Sequence, residues 1–208
     1  MVDFSKKWIF RMTHIENIPH ILGFGITHAS SPNSNPDYKP IGDSTLISVR
    51  SSKMVPIKRK CLGDYTPFYF GHRTPMLYVL QKGYNLVNKV IPDDVVYLVS
   101  TVEKILALKI DFIFTNGHAV NGLTDFYPSS EIGNLNNIVD FHAAYVRDWN
   151  DTSDTDLKRR KEAELLVDGD IPVSVIVNYI VYNEAAKLNL LAKGIQEERV
   201  LIKGNYYF

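Results

Sequence analysis

One cysteine in 208 residues, Cys61, excludes an intrachain disulfide and any metal cluster built from several cysteines. The buried, inert reading of that thiol is the ordinary one. Net charge is missing too. Twenty-three basic side chains balance 23 acidic ones, so any anion-binding surface must be local. No apolar run approaches the roughly 20 residues that a membrane span needs, and Met1 to Lys7 carries no signal-peptide core. These absences lead to the expectation of a soluble, reducing, cytoplasmic setting. Four familiar site motifs are also absent: the P-loop, Gly-x-Gly-x-x-Gly, His-Glu-x-x-His and Gly-x-Ser-x-Gly. The six histidines, at 14, 20, 28, 72, 118 and 142, form no tight zinc-ligand pair. No metal is expected.

What is present suffices for one ordinary core. The chain is 45% hydrophobic and 22% charged, and its length suits a single domain over 1–208. Strands are expected over 8–12, 64–70, 95–100, 112–114, 173–182, 200–202 and 206–208. Helices are expected over 13–22, 75–81, 101–109, 138–148 and 183–192. Thr13 and Glu16 have capping-box spacing, and Pro67 marks its strand as an edge or a bend. Residues 28–45 and 116–137 read as long polar loops. Short strands mixed irregularly with short helices indicate α+β.

Five places have side chains suited to chemistry. His14 stands at a strand-to-helix junction, where free N–H groups favour anions. Arg50 opens a stretch of eleven residues, 50–60, with five basic side chains and no acidic one, which suits phosphates. Residues 64–70 hold four aromatics, able to stack on bases. His118 follows a strand end. Glu164 sits where a charged segment enters the apolar run Leu165-Leu166-Val167. On the residues alone each has an ordinary reading: a helix cap, a solvated charged face, core packing, a surface histidine, a surface ion pair.

Taken in order, these segments resemble the DarT family of ADP-ribosyltransferases. The segments are Ile9 to Ile18, Asp64 to Phe70 with Arg73 to Tyr78, Phe112 to His118, Lys161 to Val167, and Val200 to Phe208. They cover nearly the whole chain. One departure stands out. Some members begin His-x-Thr-His, whereas here Arg11-Met12-Thr13-His14 keeps only the second histidine.

The resemblance implies two bent, mainly antiparallel sheets around an NAD cleft. NAD is the implied co-substrate, and a base of single-stranded DNA the acceptor, with thymine favoured over guanine. Glu164 is the implied catalytic glutamate, Arg50 acts on the acceptor and borders NAD, and His118 orients the base or the glutamate. Thr13, His14 and Asn17 would hold NAD, and Met76, Leu77 and Tyr78 would wall the nicotinamide. Arg11 is set aside. A bacterial toxin partnered by a macrodomain-type antitoxin is also implied. Two other readings stay open: a same-fold transferase acting on protein, RNA or a tRNA 2′-phosphate, and a silent NAD- or nucleic-acid-binding module.

Overall fold

The computed structural model describes residues 2–85 and 87–208. In chain order the elements begin with β1 (Trp8–His14), α1 (Ile18–Phe24), α2 (Ser44–Ser52), β2 (Tyr65–Tyr69) and α3 (Pro75–Lys82). Next come β3 (Val95–Thr101), α4 (Val102–Ala107), β4 (Phe112–Thr115) and β5 (Phe126–Pro128). The short helices α5 (Leu135–Ile138), α6 (Phe141–Tyr145) and α7 (Leu157–Lys161) lead to β6 (Glu164–Asp168). The last are β7 (Asn178–Val181), α8 (Glu184–Ala192) and β8 (Val200–Ile202).

The strands run in the order β5-β4-β6-β2-β1-β3-β7-β8, antiparallel except for β7 and β8. The α+β expectation holds, with one difference: the two expected sheets are joined. The joint is narrow. β1 pairs with β3 over seven residues, but with β2 only at Phe10 and Tyr69. The sequence explains why. Proline has no N–H to give a ladder, so Pro67 makes β2 a local edge even though it lies inside the strand order. On its other side β2 pairs with β6 along its full length, Pro67 opposite Leu166. Arg11 Nη1 reaches across the split to the Pro67 carbonyl, 3.0 Å away.

One face of the sheet carries a continuous core, with Ile9, Phe68, Phe70, Leu98, Phe114 and Leu165 buried together. The other face carries two separate clusters. Phe10, Leu77, Val95 and Tyr97 pack over the β1–β3 half, and Leu62, Tyr65, Ile113 and Leu166 over the β4–β6–β2 half. The split in the sheet and the gap between these clusters coincide, and a cavity opens there.

Several expected elements take other limits. The 13–22 helix begins only at Ile18, and the Thr13–Glu16 capping box is replaced by His14, whose Nδ1 accepts the Glu16 N–H at 3.1 Å. The 116–137 loop contains β5, which pairs with β4. The 173–182 strand narrows to β7, and residues 204–206 form a 3₁₀ turn rather than a strand. α2 and β6 arise where no regular element was expected. Among the described residues, no helix is long and apolar enough to cross a membrane.

Candidate active site

The cavity has a volume of about 430 Å³. Its floor is the split: Arg11 and Met12 from β1, and Tyr65, Pro67 and Tyr69 from β2. Its roof is α2 with the loop before it, through Tyr38, Ile41, Leu46 and Arg50. Asp43 holds the start of α2, accepting from the Thr45 and Leu46 N–H groups at 2.8 and 3.3 Å. His118 and Met76 close one end.

Glu164 lies at that end, completely buried as the first residue of β6. Its backbone is fixed from both sides. Tyr69 is its partner on β2, and the Thr115 hydroxyl accepts its N–H at 3.0 Å where the β4 ladder stops. Its Oε1 accepts the Ala119 N–H at 2.9 Å and Arg50 Nη1 at 3.2 Å. Arg50 Nη1 also lies 3.0 Å from Oε2, but off the direction of a hydrogen bond. Oε2 and Arg50 Nη2 are both buried and lack hydrogen-bond partners among the described residues. Such orphaned polar atoms are costly in a folded interior, and Arg50, which carries one of them, lines the cavity. The Arg50 side chain, 15% exposed, stands between the glutamate and the cavity.

Tyr69 stays a neutral phenol. Burial pushes its pKa well up, and the neighbouring Glu164 and Glu162 carboxylates add to the effect. His118 is held by its backbone. Its N–H donates to the Arg159 carbonyl at 2.9 Å, and its carbonyl accepts the Thr124 hydroxyl at 2.8 Å. Gly117 makes this possible, because a Cβ there would collide with the Arg159 guanidinium.

The expected residues divide. Arg50, His118 and Met76 line the cavity, and Glu164 lies directly behind Arg50. Thr13 and Asn17 are buried outside its wall. The Asn17 amide donates to Thr13 Oγ1 and the Lys39 carbonyl and accepts the Lys39 N–H, so it ties down the roof loop with its own polar groups satisfied. His14 caps its turn. Leu77 and Tyr78 do not wall the cavity. Successive helical residues diverge by about 100°, so Met76 faces the cavity while Leu77 enters the core beside Phe10. Tyr78 packs on Tyr84, Trp149 and Phe208.

Arg11, set aside in the sequence, is in the wall, and so are Thr27 and His28. The departure from His-x-Thr-His was the signal that bore on Arg11. Nothing local pointed to His28, whose Nε2 lies 2.6 Å from the Gly63 carbonyl. The basic run is largely occupied elsewhere: Lys58 pairs with Asp111, Lys60 with Asp168, and Lys53 bonds the Val120 carbonyl. Phe68 and Phe70 are core residues, which leaves Tyr65, itself largely buried, and Tyr69 as the aromatics of this segment that line the cavity. No cluster of three metal-ligating side chains occurs among the described residues.

A split, mainly antiparallel sheet with a buried glutamate at the end of its cleft is the architecture expected of the ADP-ribosyltransferase class. The family model described as "ssDNA thymidine ADP-ribosyltransferase, DarT" matches residues 10–208. A DNA ADP-ribosyl transferase of Escherichia coli (EPEC strain) is 32% identical over 89% of this chain and 85% of its own. The DarT of Thermus sp. 2.9, solved with ADP-ribosylated single-stranded DNA, superposes with a TM-score of 0.84 at 27% identity, covering 97% of this chain and 96% of that one. The same protein has been solved with NAD+, at a TM-score of 0.79, 27% identity and coverage of 97% and 98%. A fusion of a DNA ADP-ribosyl transferase with a DNA ADP-ribosyl glycohydrolase, from Thermosipho africanus, is 32% identical over 76% of this chain and 38% of its own. The chain belongs to the DarT family of DNA ADP-ribosyltransferases.

Proposed function

We propose that the chain transfers ADP-ribose from NAD to a base of single-stranded DNA, thymine before guanine, and that it acts as the toxin of a toxin–antitoxin pair. The observation that carries this reading is the buried Glu164 carboxylate, with one oxygen free of hydrogen bonds, beside an Arg50 guanidinium with one free nitrogen. The Thermus relative's complexes with NAD+ and with ADP-ribosylated single-stranded DNA support the same pair of substrates. The Thermosipho fusion supports a partner that removes the modification, for which a macrodomain fits the chemistry.

The reaction breaks the bond between nicotinamide and ribose. Positive charge develops on the sugar, and a preorganised carboxylate lowers that barrier. Glu164 takes this role as Arg50 turns from it toward the acceptor. Bond formation to the sugar carbon costs the base its ring N–H proton, which leaves to water, while nicotinamide departs neutral. Arginine stays protonated in proteins, so Arg50 stabilises the base as it becomes anionic rather than taking the proton. His118 orients the base or the glutamate. Met76 borders the nicotinamide end, and Thr13 and Asn17 hold the roof loop over NAD, with His14 at its turn. The segment from 119 to about 160 presents the strand.

The base must be unstacked, at a cost of a few kcal/mol in a duplex that a single strand largely avoids. Matched oligonucleotides with and without thymine, single-stranded and annealed, are incubated with labelled NAD. Product confined to thymine-containing single strands is expected. Equal modification of the duplex overturns the unstacking argument, and product on thymine-free strands overturns the base choice.

A further inference from the structure

Glu162 is a second buried carboxylate at this site, with no role in the account above. It ends α7, two residues before Glu164, and its side chain is 8% exposed. Its Oε2 lies 4.0 Å from Nδ1 of His118.

The His118 backbone is pinned on both sides. Its N–H and carbonyl are bonded as described, and the next residue's N–H, that of Ala119, is the one bound to Glu164 Oε1. Rotation of the ring is therefore the freedom left to His118, and the Glu162 carboxylate stands beside that ring. A carboxylate on one imidazole nitrogen fixes both the tautomer and the direction of the other. Contacts of this kind are often long in an empty site and tighten with substrate.

We infer that Glu162 is a positioning residue for the transfer: its carboxylate accepts a hydrogen bond from His118 Nδ1 in the loaded site and so sets which ring nitrogen meets the acceptor base. This rests on the function proposed above. Burial raises the Glu162 pKa, His118 opposes the rise, Glu164 adds to it and Lys158 opposes it; Tyr69 also faces the carboxylate, as a neutral phenol. The grip needs the ionised form. It is present above that raised pKa and lost as pH falls through it.

The test measures kcat, the KM for NAD and thermal melting, from acidic to neutral pH. It compares the wild-type chain with Glu162→Gln, His118→Gln and the double variant, on a thymine-containing single strand. The neutral amide that replaces the carboxylate can flip and donate, so it no longer selects a tautomer. Glu162→Gln is expected to lower kcat about 10–100-fold, the usual cost of losing such a support. The KM for NAD and the melting temperature stay near wild type. The acid limb of the kcat profile flattens, and the double variant is no slower than His118→Gln. Independent, multiplying losses in the double variant overturn the inference. So does an unchanged kcat, or a loss matched by lower melting and weaker NAD binding. A wild type that forms no ADP-ribosylated oligonucleotide fails at the earlier step and overturns the functional reading itself.

Discussion

Removing the charge of Glu164 tests the site most directly. Alanine would also strand the Ala119 N–H that Oε1 accepts, mixing a folding defect into the result. Glutamine keeps that acceptor and the shape; it removes the charge and turns the other oxygen, beside Arg50 Nη1, into an N–H donor. A carboxylate about 4 Å from the developing sugar cation, at an effective dielectric constant of about 20, contributes about 4 kcal/mol. That is about a thousandfold in rate at 1.36 kcal/mol per decade. It agrees with the roughly 10²–10³ lost when one preorganised stabilising group is deleted elsewhere. Stability changes less. Breaking a fully buried ion pair costs about 3–5 kcal/mol, but the Arg50 side chain is 15% exposed on the cavity side and can turn outward. A loss on the order of 1–2 kcal/mol, or roughly 2–8 °C in Tm, is expected for a chain of this length. Labelled NAD with a single-stranded oligonucleotide measures transfer, and calorimetry measures melting. Near-normal transfer by a folded Glu164→Gln protein would refute the electrostatic role of Glu164.

Arg50→Ala is expected to lose DNA modification more than NAD binding; calorimetry showing lost NAD affinity with intact DNA binding would place Arg50 in the cofactor site instead. Replacing Lys58, Arg59 and Lys60 together should flatten the salt dependence of DNA binding, at about 0.7 per phosphate contact on a single strand. Because Lys58 and Lys60 are already paired with Asp111 and Asp168, the slope should change by about one contact's worth. A change near three contacts, read from log Kobs against log salt, would mean that both pairs open for DNA. His72 stacks on Tyr206, and its pKa is lowered to about 4, chiefly by burial, with Lys161 and Arg73 contributing. The unfolded imidazole therefore binds a proton at a higher pH than the folded one, and stability falls as pH drops from about 6.5 to about 4. The loss is on the order of 2 kcal/mol after allowance for partial exposure. His72→Phe should remove that share of the acid limb in denaturant unfolding at several pH values, and an unchanged limb would contradict it.

Much of the fold was legible because local signals agreed with one another. β1, β3, β4 and α4 lie close to where apolar periodicity put them. α3 has Pro75 at its first turn and Thr74 as its cap, and α8 has Asn183 as its cap. Two elements were not legible, each for a physical reason. α2 buries no residue, so it has no apolar stripe to read. β6 follows a run of basic residues that looks exposed, yet its first four residues are buried and it lies inside the sheet, between β4 and β2. The Pro67 signal was correct locally, but only strand order shows that the edge it makes lies inside the sheet, where it opens the cleft.

The sequence by itself determined the family, through ordered blocks of residues, and the same blocks put forward Glu164, Arg50 and His118 as candidates for the site. The tertiary structure decided which side chains meet. Arg50 and Glu164 are 114 residues apart, and no local pattern records that pairing. One helical step decided that Met76 faces the cavity while Leu77 enters the core. Side-chain hydrogen bonds decided that Asn17 serves the roof loop and that Arg11, set aside in the sequence, enters the wall. Local propensity and pattern act over a few residues, whereas a site is the meeting of distant segments whose positions are set by packing.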